Sequence, residues 1–162
     1  MRQKRMLLLF TTLLILLTGC TRSGEIPIPE QAKQKLSEND KLRIERATPT
    51  SILELYVEGI NNNNPYLTIA TFNNSYFQDN NTLEEVRMIY SGIKIKNFKI
   101  IEDIEKNASR NQNEFNLIMT YTLEFEKDSQ TPNGKGEYYY FVKCIMDSNK
   151  NVWKINNLAT SP

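Results

Sequence analysis

Between Glu114 and Glu126 apolar residues take every second position: Phe115, Leu117, Met119, Tyr121, Leu123 and Phe125. A period of two is that of a half-buried strand, so the spacing predicts a strand over 114–126 with those six side chains on one face. The run from Tyr138 to Met146 is apolar at both parities, which predicts a strand in the interior of a sheet. Asp128 to Gly136, with Pro132, Asn133 and Gly134, reads as the loop between them. Asp147 to Asn151 reads as a hairpin turn leading into a last strand over 152–158. An earlier strand is predicted over 93–105. Its alternation changes phase near Asn97, from Ile93 and Ile95 to Phe98 and Ile100, as a β-bulge requires.

Before Gly92 the period is helical. Ile52, Leu55, Tyr56 and Ile60 recur on one face, with Glu54 and Glu58 away from it, behind a Thr48 cap and a proline at the first helical position. This predicts a helix over 49–61. Asn64-Pro65 repeats the start signal for a short helix over about 65–73, carrying Leu67, Ile69, Ala70 and Phe72. Thr82 and Glu85 form a capping box for a third helix, which runs to about Ser91 with Leu83, Val86, Ile89 and Tyr90 on one side. Three helices followed by four strands is a segregated α+β order: helices packed on a four-stranded antiparallel sheet, over residues 48–162.

Residues 20–47 show neither period. Gly24, Pro27 and Pro29 interrupt the chain early and the remainder is polar, so the segment reads as a flexible tether. A short helix within 30–36 would have nothing obliging it to pack. Residues 1–19 differ again: Arg2, Lys4 and Arg5 precede Met6 to Leu17, which is apolar apart from Thr11 and Thr12. That run is shorter than the roughly 20 residues a membrane-spanning helix needs, and it has the layout of a secretory signal peptide.

The run ends Leu17-Thr18-Gly19-Cys20, which resembles the bacterial lipobox. The resemblance implies a diacylglyceryl group on the Cys20 thiol, cleavage before Cys20, and an extracytoplasmic protein held on the cell membrane by its lipid. Two acyl chains, at roughly 0.8 kcal/mol per buried CH₂, anchor a protein where one chain binds only marginally.

Composition then narrows the partners. The chain carries 20 Lys+Arg and 19 Asp+Glu. Loss of Arg2, Lys4 and Arg5 with residues 1–19 would leave a weakly acidic remainder with no basic run. Nucleic acid needs a positive footprint, so it is set aside as a partner. With Cys20 lipidated, Cys144 has no partner within the chain for a disulfide. Asparagine is abundant, and the run Asn61 to Asn64 falls between patterned elements, which reads as compositional bias.

The element order, with the Val152-Trp153-Lys154-Ile155 strand and the Ala159-Thr160-Ser161-Pro162 ending, resembles the nuclear transport factor two-like domains of small, uncharacterised Gram-positive lipoproteins. The resemblance implies a sheet that is curved around the first helix to make a cone. It carries no catalytic residue onto this chain.

Little reactive chemistry is visible. Histidine is absent, which removes Ser-His-Asp and Cys-His catalysis and histidine-based metal sites. Cys144 lies mid-strand between Lys143 and Ile145 and reads as a small buried hydrophobe. Asn133-Gly134-Lys135-Gly136 reads as a turn, not a phosphate loop, and no Asp cluster has calcium-loop spacing. No cofactor is implied. Some enzymes of the resembled fold use carboxylates and tyrosine inside the cone. Here Glu114, Glu124 and Glu126 share the polar face of their strand, and Glu102 and Asp103 fall near a strand end, where solvation is expected.

The aromatic residues remain: Tyr138 to Phe141 in a row, Phe115, Tyr121, Phe125 and Trp153 on other strands, and Tyr56 on the first predicted helix. They can fill the core, line a pocket for a small apolar ligand, or offer a hot spot to a partner protein. As a pocket, the lining expected is Tyr56, Met119, Tyr121, Tyr140 and Trp153. The reading is a membrane-anchored, non-enzymatic binding module. Its alternatives are an enzyme using interior carboxylate and tyrosine, and a structural accessory of an export or conjugation assembly.

Overall fold

A computed structural model describes residues 26–77, 81–108, 111–125, 137–147 and 149–160. The lipobox, Cys20 and the 128–136 loop therefore lie outside the described residues. Two helices occupy the segment expected to be a tether: α1 (Ile28–Gln34) and α2 (Glu38–Glu45). They are packed rather than loose, because Ile28, Ala32, Leu36 and Ile44 are all buried in the core. Ile28, Ala32 and Leu36 stand four apart, so α1 and the residues just after it offer one narrow apolar stripe. Polar ties join the segment to the rest. Arg43 binds both carboxylate oxygens of Glu58, and Glu30 pairs with Lys150 at 2.8 Å, while within the segment Arg43 also binds Asp40 and Lys33 pairs with Glu45 at 2.8 Å. The folded unit thus begins by Ile28, not at Thr48, and the helical layer is larger than three helices.

The next helices start where their caps predict. Thr48 and Ser51 form a reciprocal capping box for α3 (Pro49–Asn61), Asn64 accepts from Leu67 N at 3.2 Å to start α4 (Pro65–Ala70), and Thr82 with Glu85 caps α5 (Leu83–Ile89). Helix α4 ends at Ala70, short of the expected 73, and Phe72 follows in irregular chain. Helix α3 is buried on more than the predicted stripe: Leu53 and Val57 are inside as well, because α4 packs along it. A Cβ added at Gly59 would stand 2.6 Å from Thr68 N, so the α3–α4 approach requires glycine there.

The four strands are β1 (Ile93–Glu102), β2 (Glu114–Phe125), β3 (Glu137–Asp147) and β4 (Val152–Ala159). They form one open antiparallel sheet in the order β1-β2-β3-β4, which puts β3 in the interior as its two apolar faces predict. The bulge falls where the phase changes, between Lys96 and Lys99, with Asn97 in the left-handed region at φ 50°. Strand β1 stops at Glu102, and a one-turn helix, α6 (Ile104–Ala108), replaces its expected last residues. On β2, Leu117, Met119 and Tyr121 are buried, with Phe115 and Leu123 partly so, which sets that face against the helices.

Both sheet edges are partly closed. The Asn61 carboxamide accepts from Ile95 N at 2.7 Å and donates to Ile95 O at 3.0 Å, standing in for a neighbouring strand beside β1. Beside β4, Asn73 N donates to Ile155 O at 2.8 Å and Ile155 N to Thr71 O at 3.0 Å, a parallel bridge centred on Phe72.

Candidate functional site

The residues after α4 bring an aromatic group against the sheet. Phe72 is fully buried and touches four rings: Tyr76 stacked at 4.2 Å between centroids, and Phe77, Tyr56 and Tyr90 at 5.4, 5.6 and 6.2 Å. Tyr56 and Tyr90 meet edge to face at 6.1 Å. From the sheet, Tyr121 stacks on its cross-strand partner Tyr138 at 5.5 Å and on Tyr140 at 5.8 Å. Met119 lies opposite Tyr140 on the same face and is fully buried.

Phenols of the two groups act on one another electrostatically. Burial pushes the Tyr56 hydroxyl well above its ordinary range, and Tyr90, Tyr76 and Tyr140 push it the same way. Burial likewise raises Tyr90, with Tyr76, Tyr121 and Tyr140 adding to it. Tyr121 is raised by burial first, then by Tyr56 and Tyr140, to which it is also hydrogen-bonded. All three phenols stay protonated at any physiological pH and so remain hydrogen-bond donors.

Four of the five residues expected to line a pocket are thus brought together: Tyr56, Met119, Tyr121 and Tyr140. Trp153 is not with them. It stands opposite Met146, six residues along β3 from Tyr140, or about 20 Å. Phe72, Tyr76, Phe77 and Tyr90 also belong to the cluster: the helical pattern places Phe72 and Tyr90 among apolar positions, whereas Tyr76 and Phe77 carry no sign of it in the sequence beyond being aromatic. Clefts of about 390 and 360 Å³ lie elsewhere, one between α2 and α3 beside Arg43 and Glu58, the other beside α6 on the outer sheet face.

No described carboxylate stands among the phenols. Glu54 is exposed, Glu58 is held by Arg43, Glu114 pairs with Lys143 at 2.7 Å, and Glu124 is within 3.8 Å of Lys96. Asp103 departs from expectation, being buried rather than solvated. Its carboxylate accepts from Lys106 N at 3.2 Å and caps α6, a structural task. Cys144 is fully buried, its thiol 3.8 Å from Pro49 O and its pKa pushed up to about 12 by burial, which leaves it a poor nucleophile. Among the described residues no group of His, Cys, Asp and Glu could hold a metal ion, and no helix is long and apolar enough to cross a membrane.

Compared with protein-family models, with curated proteins and with solved structures, the chain matches none.

Proposed function

We propose that this chain is an extracytoplasmic lipoprotein, anchored through Cys20, whose cone-shaped, nuclear transport factor two-like domain binds a small apolar ligand against its aromatic inner face. The observation that carries the binding half is a pair of tyrosine groups, one on the helices and one on the sheet, whose phenols act on one another with no described carboxylate, metal site or reactive thiol among them. Such a face can hold and orient a molecule but has nothing described there with which to transform it. The anchor half rests on the basic start, the short apolar run and the Leu17-Thr18-Gly19-Cys20 ending.

A second reading, a surface for a partner protein in a larger export or conjugation assembly, is favoured by the outer sheet face. There Ile101 is 55% and Tyr139 49% exposed, and Ile104 beyond the strand end is 75% exposed. One experiment separates the two. The chain is extracted from membranes in mild detergent and weighed intact by native mass spectrometry. The proposal expects loss of residues 1–19, a gain matching a diacylglyceryl group, and a co-purifying small molecule released on unfolding. A co-purifying protein would favour the second reading, and an unprocessed chain without lipid would overturn the anchor.

A further inference from the structure

The cleft of about 390 Å³ between α2 and α3 is built from one face of each helix. Leu42, Arg43 and Arg46 line it from α2 and its C-terminal cap, and Glu54, Leu55 and Glu58 from α3, in each case three or four positions apart. Small-molecule sites run from about 300 Å³ upward, so the space suits such a ligand. Its charges fall into two sets. Arg43 and Glu58 are closed on each other: Arg43 donates to both Glu58 oxygens, and to Asp40 at 3.2 Å, which ties one wall of the cleft to the other. Arg46 and Glu54 are open. Both are exposed, and neither makes an ion pair or a side-chain hydrogen bond with a described residue. The carboxylate next to Arg46 in the chain, Glu45, is already taken by Lys33 at 2.8 Å.

One open cation and one open anion in the same cleft limit what fits. A simple anion drawn to Arg46 would share the cleft with the Glu54 carboxylate, and a simple cation drawn to Glu54 would share it with the Arg46 guanidinium; like charges so placed cost affinity. A ligand carrying both signs meets neither penalty. The apolar part of the lining is Leu42, Ala47 and Leu55, of which Leu42 is 46% exposed. We infer that this cleft binds a small dipolar ion, an amino acid or a dipeptide. Its carboxylate lies on the Arg46 fork, whose parallel N–H groups match carboxylate geometry, its ammonium on Glu54, and its apolar side chain against Leu42, Ala47 and Leu55. None of these residues belongs to the aromatic groups, so the site is separate from the aromatic face and independent of the anchor.

The test titrates four probes into the full chain in mild detergent and follows the amide signals of Leu42, Ala47 and Leu55 by nuclear magnetic resonance. The probes are leucine, glycyl-leucine, N-acetyl-leucine, which lacks the ammonium, and leucine amide, which lacks the carboxylate. Leucine or glycyl-leucine is expected to shift those signals saturably. The better of the two is expected to bind at least about threefold more tightly than either single-charge analogue, the worth of one exposed ion pair. Tighter binding of leucine assigns an amino acid, and of glycyl-leucine a dipeptide. Arg46→Gln is expected to remove the preference over leucine amide, and Glu54→Gln the preference over N-acetyl-leucine. Thermal stability of both variants is expected to stay that of the parent, since each loses an exposed, unpaired charge, and this separates lost binding from lost fold. No saturable shift with either dipolar probe, equal binding of the single-charge analogues, or preferences that survive both substitutions overturns the inference. The reading of the aromatic face stands in every case.

Discussion

Lys154 sits on the last strand with part of its stem exposed and its ammonium inside, where it donates to Ala70 O at 2.5 Å. Burial pulls its pKa down to about 8. Glu30 and Asp147 oppose that fall, while Lys33 and Lys150 add to it. Between pH 8 and about 10.5 the unfolded chain holds a proton that the folded chain has released, so this residue makes stability rise with pH across that window. Below pH 8 the cost of the buried charge is fully present. The buried thiol of Cys144 and the raised phenols act in the opposite sense at high pH, but they are common to wild type and a Lys154→Met variant. The difference in unfolding free energy between the two is therefore expected to move in favour of wild type, by on the order of 2–3 kcal/mol, from pH 7 to pH 10.5. Chemical denaturation at several pH values measures it, and a pH-independent difference would show that Lys154 is charged to the end. Residue-scale logic also explains the run Asn61 to Asn64, which is more than compositional bias. Asn61 closes the edge of β1, Asn62 ends α3, Asn63 takes the left-handed conformation at φ 52°, and Asn64 starts α4.

Among the elements, the starts of α3, α4 and α5 and the bulge in β1 are legible from the sequence, because a cap or a phase change is a local event. Helices α1 and α2 are not. Their apolar residues come about once per turn, and what holds them is tertiary: a core face offered by α4 and the sheet, and ion pairs reaching across to Glu58 and Lys150. The site divides the same way. Its sheet half, Met119, Tyr121 and Tyr140, follows from a period of two, whereas Phe72, Tyr76 and Phe77 lie in irregular chain that only folding carries to the sheet. Trp153 shares the inner face but lies too far along β4, a distance that needs the register to see. The α3–α4 contact gives an element-scale prediction. Gly59→Ala gains about 1 kcal/mol of helix propensity, but its Cβ meets the Thr68 backbone, which cannot swing aside. Overpacking is expected to win, leaving the variant less stable by about 1–3 kcal/mol in urea denaturation. A variant as stable as wild type would mean that α4 can move off α3.

At the scale of the whole molecule, the early start of the fold changes how the proposed anchor works. If Cys20 carries the lipid, the chain from there to Ile28 can reach at most about 30 Å even when fully extended. The domain is then held close to the membrane rather than carried clear of it on a long tether. The partly covered edges of β1 and β4 blunt pairing with another sheet, so what the sheet leaves for recognition is its two faces. Of these, the inner one carries the stacked rings of Tyr121, Tyr138 and Tyr140. The most direct test is the electron density at that cluster in crystals of the chain purified, without unfolding, from the organism that makes it. The account predicts a non-protein molecule against the helix and sheet tyrosines. Rings closed upon one another, with no foreign density, would contradict it.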